Sequence, residues 1–468
     1  MGLVVPSILI QYFGSDANGL VGSVRQFVAY LSLAEMGMGV ASMAALYRPL
    51  RLGDGAALNA VLAATRLWYL RSGWVFGVLL VILCMVYPLV VASDVPEALA
   101  RYMMLILGGG ALWEYLILNK YRTLLHADQR VYVLSTIQAV FSAFSMLAVV
   151  MLAREGCGLI VVQLGSTGLL LLRAPVVAGY VRRRYPAVSF KAVEAPFRIP
   201  QQGSAFVQQL AAMAVFNSPI VILTVLVPLD EISVYLVHSM IFVALSGVLS
   251  IVSTATLGGF GQLVGGGELA HHSAVFRRFE TMVYCAAFWM YSCAAVLTGP
   301  FLFVYTARFT DAEYIRPEVV ALFVAVGLAN SLRVPHNVLV TAAGMFAETR
   351  SRAIAESVIN VVCSVGFAIA LGMPGVLIGA LCSYAFRSVD FVLFSSSRIL
   401  GRSPLVSFRL MLGIGLGAVV CVAVGWPTRF ATPASYVEWL GLAIPVAAGF
   451  GAVFALGFLL FSREARVS

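Results

Sequence analysis

Seven ionisable side chains stand inside long apolar runs of this 468-residue sequence: Arg25, Glu35, Glu114, Arg173, Arg333, Arg387 and Asp390. At bilayer depth a charge costs roughly 2.5–3.5 kcal/mol on insertion scales, so residues of this kind face a cavity or one another. Arg387 and Asp390 are three apart, which places them on one helical face as an ion pair. Arg333 falls on a face with Asn330, His336 and Asn337 at three- and four-residue spacing, and Pro335 should bend the helix beside them. Glu35, in the run LAEMGMG, lies about 15 Å along a helix from Arg25, among small residues that admit a close neighbour. Arg173 and Asp390 occupy equivalent places in an internal repeat, and their opposite charges suggest a pair across a cavity.

Guanidinium forks match phosphate oxygens, and four such arginines against three acids favour an anionic, phosphate-bearing passenger. Arg25, Arg173, Arg333 and Arg387, with Asn337, are candidate substrate-binding residues, and Glu35, Glu114 and Asp390 are candidate carriers of a coupling proton or sodium ion. A purely structural role stays open for the Arg387–Asp390 pair and for a hydrogen bond from Glu35 to a neighbouring helix. No metal site is expected. His238 sits near a span end, His271 and His272 sit in a solvated loop, and no further ligand has suitable spacing. The seven cysteines show no paired spacing and read as small buried side chains. Nothing points to a catalytic residue or a cofactor, and the absence of a GxxxxGK[ST] motif excludes direct use of ATP by a P-loop.

The elements that carry these residues follow from composition. The sequence is 61% apolar and 11% charged, with a mean hydropathy of +0.95, against roughly 25% charged residues in a soluble domain. A net charge of +9 does not mark a nucleic-acid binder, because the basic residues lie in short breaks between apolar segments. A spanning helix needs about 20 apolar residues. Segments at about 19–47, 73–92, 101–119, 131–153, 157–180, 204–227, 233–263, 281–305, 318–343, 353–372, 374–396, 409–426 and 436–462 qualify, and MGLVVPSILIQYF before them reads as a foreshortened first span. The expectation is an all-α polytopic membrane protein with about fourteen transmembrane helices. Twenty-one of the 30 basic residues fall in alternate gaps and the tail, and five in the intervening gaps. The positive-inside rule therefore puts both termini in the cytoplasm.

The 39 residues from Asp16 to Asp54 are similar to those from Asp230 to Glu268, and GLIVVQL from Gly158 to GVLIGAL from Gly375. Two parallel six-helix lobes follow, related by an axis along the membrane normal. Their bounds are 1–181 and 204–397, joined by a basic cytoplasmic linker at 182–203 and followed by two additional helices within 409–462.

Three stretches carry a resemblance that covers almost the whole chain: YFGSDANGLVGSVRQFVAYLSLAEMGMGVAS, VFNSPIVILTVLVPLDEISVYLVHSMIFVALSGVLS, and NVLVTAAGMFAETRSRAIAESVINVVCSVGFAIALGMPGVLIGALCS. They resemble the polysaccharide flippases of the multidrug/oligosaccharidyl-lipid/polysaccharide exporter superfamily. Glu35 takes the acidic position of the family's second helix, and Asn217 matches a common asparagine of the seventh, which adds it to the substrate-binding candidates. Where many members have an aspartate just after that asparagine, this chain has Ser218 and Pro219. The resemblance implies a lipid-linked anionic glycan, on a polyprenyl pyrophosphate carrier, moved from the cytoplasmic to the periplasmic leaflet of a bacterial inner membrane by alternating access. Polysaccharide-assembly proteins are the partners it implies. A cation-coupled multidrug exporter of the same superfamily is the alternative. A membrane glycosyltransferase or O-antigen polymerase would need a larger outer loop or an acidic metal motif.

Overall fold

A computed structural model describes residues 2–31, 38–91, 95–190, 203–265 and 273–464. Glu35 lies outside them. Hydrocarbon offers no partner to a peptide group, so a chain of this hydropathy satisfies its backbone within helices. Among the described residues every regular element is indeed helical. In chain order the helices are α1 (Val4–Phe13), α2 (Ser15–Leu31), α3 (Met38–Leu52), α4 (Gly55–Val90), α5 (Glu97–Ile117), α6 (Asn119–Ala127), α7 (Val131–Arg154), α8 (Leu159–Leu171) and α9 (Arg173–Arg184). They continue with α10 (Gly203–Leu226), α11 (Leu229–Gly265), α12 (Ser273–Tyr305), α13 (Pro317–Leu332), α14 (Val334–Ala342), α15 (Phe346–Leu371), α16 (Met373–Arg398), α17 (Leu405–Gly425) and α18 (Tyr436–Glu464).

Each of the fourteen expected segments carries helix among the described residues. Among the described residues ten helices are long and apolar enough to cross a bilayer, and eleven when α5 and α6, bent by 51°, count as one broken span. The remaining three expected spans are α1, α10 with its apolar part at Met213–Leu226, and the α2–α3 stretch whose centre lies outside the described residues. The helices also run past the expected ends. α4 begins at Gly55 and takes Arg66 and Arg71 onto the helix, and α12 begins at Ser273, which puts Arg277, Arg278 and Glu280 on it rather than in a loop. Polar first turns do not stop a helix whose apolar remainder holds it in place.

The chain forms two compact units, Met1–Ser233 and Val234–Ser468. In the first, α3, α4, α6 and α9 share an apolar core around Leu46, Leu62, Leu124 and Val177. Elsewhere in the unit hydrogen bonds join α2 to its neighbours: Tyr87 of α4 donates to Ser23 at 2.9 Å, Ser23 meets Thr224 of α10 at 2.7 Å, and Asn18 donates to Ser233 at 2.8 Å. In the second, α12 is the central post. One cluster on it includes Phe276, Phe279, Val338 and Leu339, and another joins Phe288 to Ile414 of α17 and Phe450 of α18. Gly372, at φ 63°, turns the chain from α15 into α16 in a conformation that favours glycine. The two helices then run so close that a Cβ at Gly379 would meet the backbone of Ser364.

Candidate functional site

In the first unit, α1, α2, α5 and α8 enclose a cavity of about 430 Å³. Its wall is mostly apolar, from Val5, Val28, Leu107 and Leu170, with Arg25 of α2 and Glu114 of α5 as its charged groups and Ser166 and Thr167 of α8 as its hydroxyls. Gly110 lets α5 approach α8 closely at the cavity wall, since a Cβ on it would press on Thr167 at 2.6 Å. Arg25 is exposed, and among the described residues it makes no ion pair. Glu114 is paired with Arg173, the first residue of α9, where the chain breaks after α8. Arg173 is nearly buried, and its Nε lacks a hydrogen-bond partner. Among the described residues the cavity thus presents one guanidinium without an ion pair and one carboxylate that is already neutralised. This volume falls in the range of small-molecule sites, and apolar walls with few polar groups are their usual lining.

The second unit holds a chain of charges. Arg333 stands at the joint between α13 and α14, donates to Glu356 of α15 at 2.5 Å, and lies 4.8 Å from the Tyr384 ring. Arg387 of α16 is 2% exposed and sits between Glu356, at 3.3 Å, and Asp390, at 2.7 Å, with its guanidinium 3.9 Å from the Phe391 ring. Arg352 of α15 pairs with the other oxygen of Asp390. Three guanidiniums therefore share two carboxylates across α13–α16, and one positive charge is left over. The expected Arg387–Asp390 pair is present, but the fully buried Arg387 is held on three sides and lines no described cavity wall.

Several expectations change. Arg173, expected to face Asp390, pairs within its own unit with Glu114, and Asp390 pairs within its own unit with Arg387 and Arg352. The face predicted around Arg333 does not act together. Arg333 stands at the break between α13 and α14, His336 is fully buried against Glu280 and Ser395, and Asn337 is exposed. Asn217 is half-buried on α10, beside the buried Ser218. Sequence reasoning passed over Glu280, Glu356, Arg352 and Arg402. Glu356 was discoverable: it lies inside the expected eleventh span, one turn after Arg352. With those four added, six arginines stand against five acids and the excess remains one, while the cationic character rests on Arg25 and on the one surplus charge of the second unit. Among the described residues no group of His, Cys, Asp and Glu is arranged to hold a metal ion.

Outside the spans, a small latch ties the α6–α7 turn to the end of α9. Asp128 accepts from Arg130 at 2.7 Å and from Tyr185, while Arg130 also donates to Tyr180 at 3.2 Å. Burial, and then the hydrogen bond to Asp128, push the Tyr185 phenol above its ordinary value.

No protein-family model and no curated protein matches the sequence. Solved structures do. The lipid II flippase MurJ in an inward closed conformation is similar with a TM-score of 0.67 at 14% identity, over 97% of this chain and 96% of that one. Inward-facing and outward-facing structures of a MATE multidrug resistance transporter of the MOP superfamily are similar with TM-scores of 0.62 and 0.57, at 15% and 12% identity, each over 85% of this chain and 93% of that one. The fold of this polytopic membrane protein is the one shared by MATE transporters of the MOP superfamily and the lipid II flippase MurJ.

Proposed function

We propose that this chain is a membrane transporter that carries a lipid-linked anionic glycan, held through the diphosphate of a polyprenyl carrier, from the cytoplasmic to the periplasmic leaflet of a bacterial inner membrane. The observation that carries this reading is Arg25: a guanidinium with no ion pair among the described residues, on the wall of a largely apolar cavity, with the Thr167 hydroxyl on the same wall as a further donor to a phosphate. Glu114 is neutralised by Arg173, so it does not repel an anion there. The internal repeat supports alternating access by two six-helix lobes, 1–181 and 204–397, linked by the basic segment 182–203, with 409–462 as additional helices. The distribution of basic residues supports cytoplasmic termini. MurJ, whose structure is similar over nearly its whole length, is a flippase of lipid II. In the second unit a groove of about 610 Å³ between α12, α13 and α17, lined by Phe288, Tyr291, Leu328 and Val419, offers apolar surface of the kind a polyprenyl tail would follow.

Export of a cationic drug is the second reading, favoured by one feature: Glu114 lines the same cavity, and release from Arg173 would expose a carboxylate. Binding of a polyprenyl diphosphate-linked disaccharide to the purified protein by native mass spectrometry separates the two. The glycan reading expects Arg25→Ala to weaken retention at least tenfold and Glu114→Gln to leave it within threefold. Loss of a lipophilic cation's binding on Glu114→Gln, with the diphosphate lipid indifferent to Arg25→Ala, establishes the alternative.

A further inference from the structure

Four elements of the second unit meet at a polar cluster for which an anionic passenger gives no reason. α12 contributes Glu280 and Tyr284, α14 contributes His336, α16 contributes Ser395, and the segment before α17 contributes Arg402. Glu280, His336 and Ser395 are fully buried. His336 Nδ1 lies 2.6 Å from Ser395 Oγ, and Nε2 lies 3.0 Å from Glu280 Oε1 and 3.2 Å from Tyr284 Oη. The second carboxylate oxygen accepts from Arg402 Nη2 at 2.5 Å, and that nitrogen also donates to Ser407 at 2.8 Å. Phe276 stands edge-on to the imidazole and lies under the Arg402 guanidinium, and Phe260 of α11 closes the cluster with apolar surface.

Two complete hydrogen-bond assignments satisfy these distances, and they differ by one proton. In the first, Ser395 donates its single hydroxyl hydrogen to Nδ1, and Nε2–H donates to Glu280, which is a neutral imidazole facing a carboxylate. In the second, Ser395 donates instead to the carbonyl oxygen of Phe391, 2.7 Å away. Nδ1 must then carry its own hydrogen and donate to Ser395 Oγ, while Nε2 still donates to Glu280, and the ring is an imidazolium beside a carboxylate. Neither the imidazole nor Ser395 Oγ needs to move between the two states. An ordinary buried histidine loses an acceptor bond when it gains a proton, whereas here rotation of one hydroxyl keeps every bond.

We infer that Glu280 and His336, with Ser395 as a rotating hydroxyl, form a proton-binding site, and that proton uptake there governs how firmly Arg402 ties the start of α17 to α12. The incoming proton lands on His336 Nδ1. Its positive charge draws on the same carboxylate that holds Arg402, so the Glu280–Arg402 bond slackens as the site fills. Among the described residues, Tyr284 and Arg402 are the other titratable or charged groups facing the pair. The inference deepens the transporter assignment, on which its coupling role rests, by naming the coupling ion as a proton.

The site is tested without passenger on the full chain in nanodiscs, by nitrogen-15 spectra of its histidines with His336→Gln identifying the resonance. Between pH 5 and 9, Nδ1 is expected to pass from protonated to unprotonated while Nε2 stays protonated, and Glu280→Gln should move the midpoint to at least tenfold higher proton concentration. A ring state constant over that range, or a midpoint indifferent to Glu280→Gln, overturns the site. In proteoliposomes, His336→Gln that elutes as wild type should lose the response of translocation to an imposed pH gradient and keep gradient-free exchange. Wild-type translocation indifferent to the gradient overturns the coupling role. A wild-type chain that titrates as expected yet translocates no lipid-linked glycan removes the transporter assignment, and the coupling with it, while the proton site stands.

Discussion

Replacement of Glu356 by glutamine isolates the charge network of α13–α16 from everything else in the chain. Glu356 is the shared partner of Arg333, at 2.5 Å, and of Arg387, at 3.3 Å. At an effective dielectric of about 20, each pair is attracted by about 5 to 7 kcal/mol before the cost of desolvation. Net losses on removing one partner of a buried pair run at about 3–5 kcal/mol, because the remaining charge is stranded. Arg333 is not fully enclosed, at 19% side-chain exposure, and Arg387 keeps Asp390, so the lower end applies. Three guanidiniums would then share one carboxylate. The expected loss is about 3 kcal/mol, which for a unit of this size is a fall of roughly 6 to 12 °C in melting temperature. Fluorescence-detected size-exclusion after heating, in one detergent, measures it. Adding Arg333→Gln to Glu356→Gln removes the charge left without a carboxylate and should recover at least a third of the fall. A change below 2 °C in the single variant, or no recovery in the double, would refute the view that this network is a balanced structural unit.

Two further perturbations address the backbone. Gly379→Ala places a Cβ against the Ser364 backbone, which cannot yield as a side chain tip can, and about 1–3 kcal/mol should be lost, read as a lower melting temperature with α15 and α16 splayed. Gln129, between the two arms of the Asp128–Arg130 latch, has a φ of 57°, so Gln129→Gly should raise stability by about 1 kcal/mol, and a fall in melting temperature would contradict the cost assigned to that conformation.

The helices were legible because the solvent enforces them: an apolar run of twenty residues in lipid has one way to bond its backbone, and each expected segment carries helix. The Arg387–Asp390 pair was legible for the same local reason, a spacing of three on one helix. What local periodicity could not convey was which helices meet. Glu356 joins Arg333 and Arg387 only because α15 packs on α16 and reaches the α13–α14 joint, and Glu280 meets His336 and Arg402 from positions 56 and 122 residues away. The expected start of the ninth span at residue 281 also left Glu280 just outside, although the helix begins eight residues earlier, at Ser273. Arg25 and Glu114 could be singled out by their depth in apolar sequence, but the Arg173 partner that neutralises Glu114 is a tertiary fact.

The central claim is that the Arg25 cavity takes the diphosphate of a lipid-linked glycan and carries it across the membrane. It is tested most directly by reconstituting the chain in proteoliposomes with a fluorescent polyprenyl diphosphate-linked sugar and following its arrival in the opposite leaflet by a membrane-impermeant quencher. Wild type should move the lipid well above protein-free vesicles, Arg25→Ala should cut the initial rate at least tenfold, and Arg25→Lys should retain an intermediate rate through its point charge. An unchanged rate in a well-folded Arg25→Ala, or equal movement of the same lipid lacking its diphosphate, would contradict it.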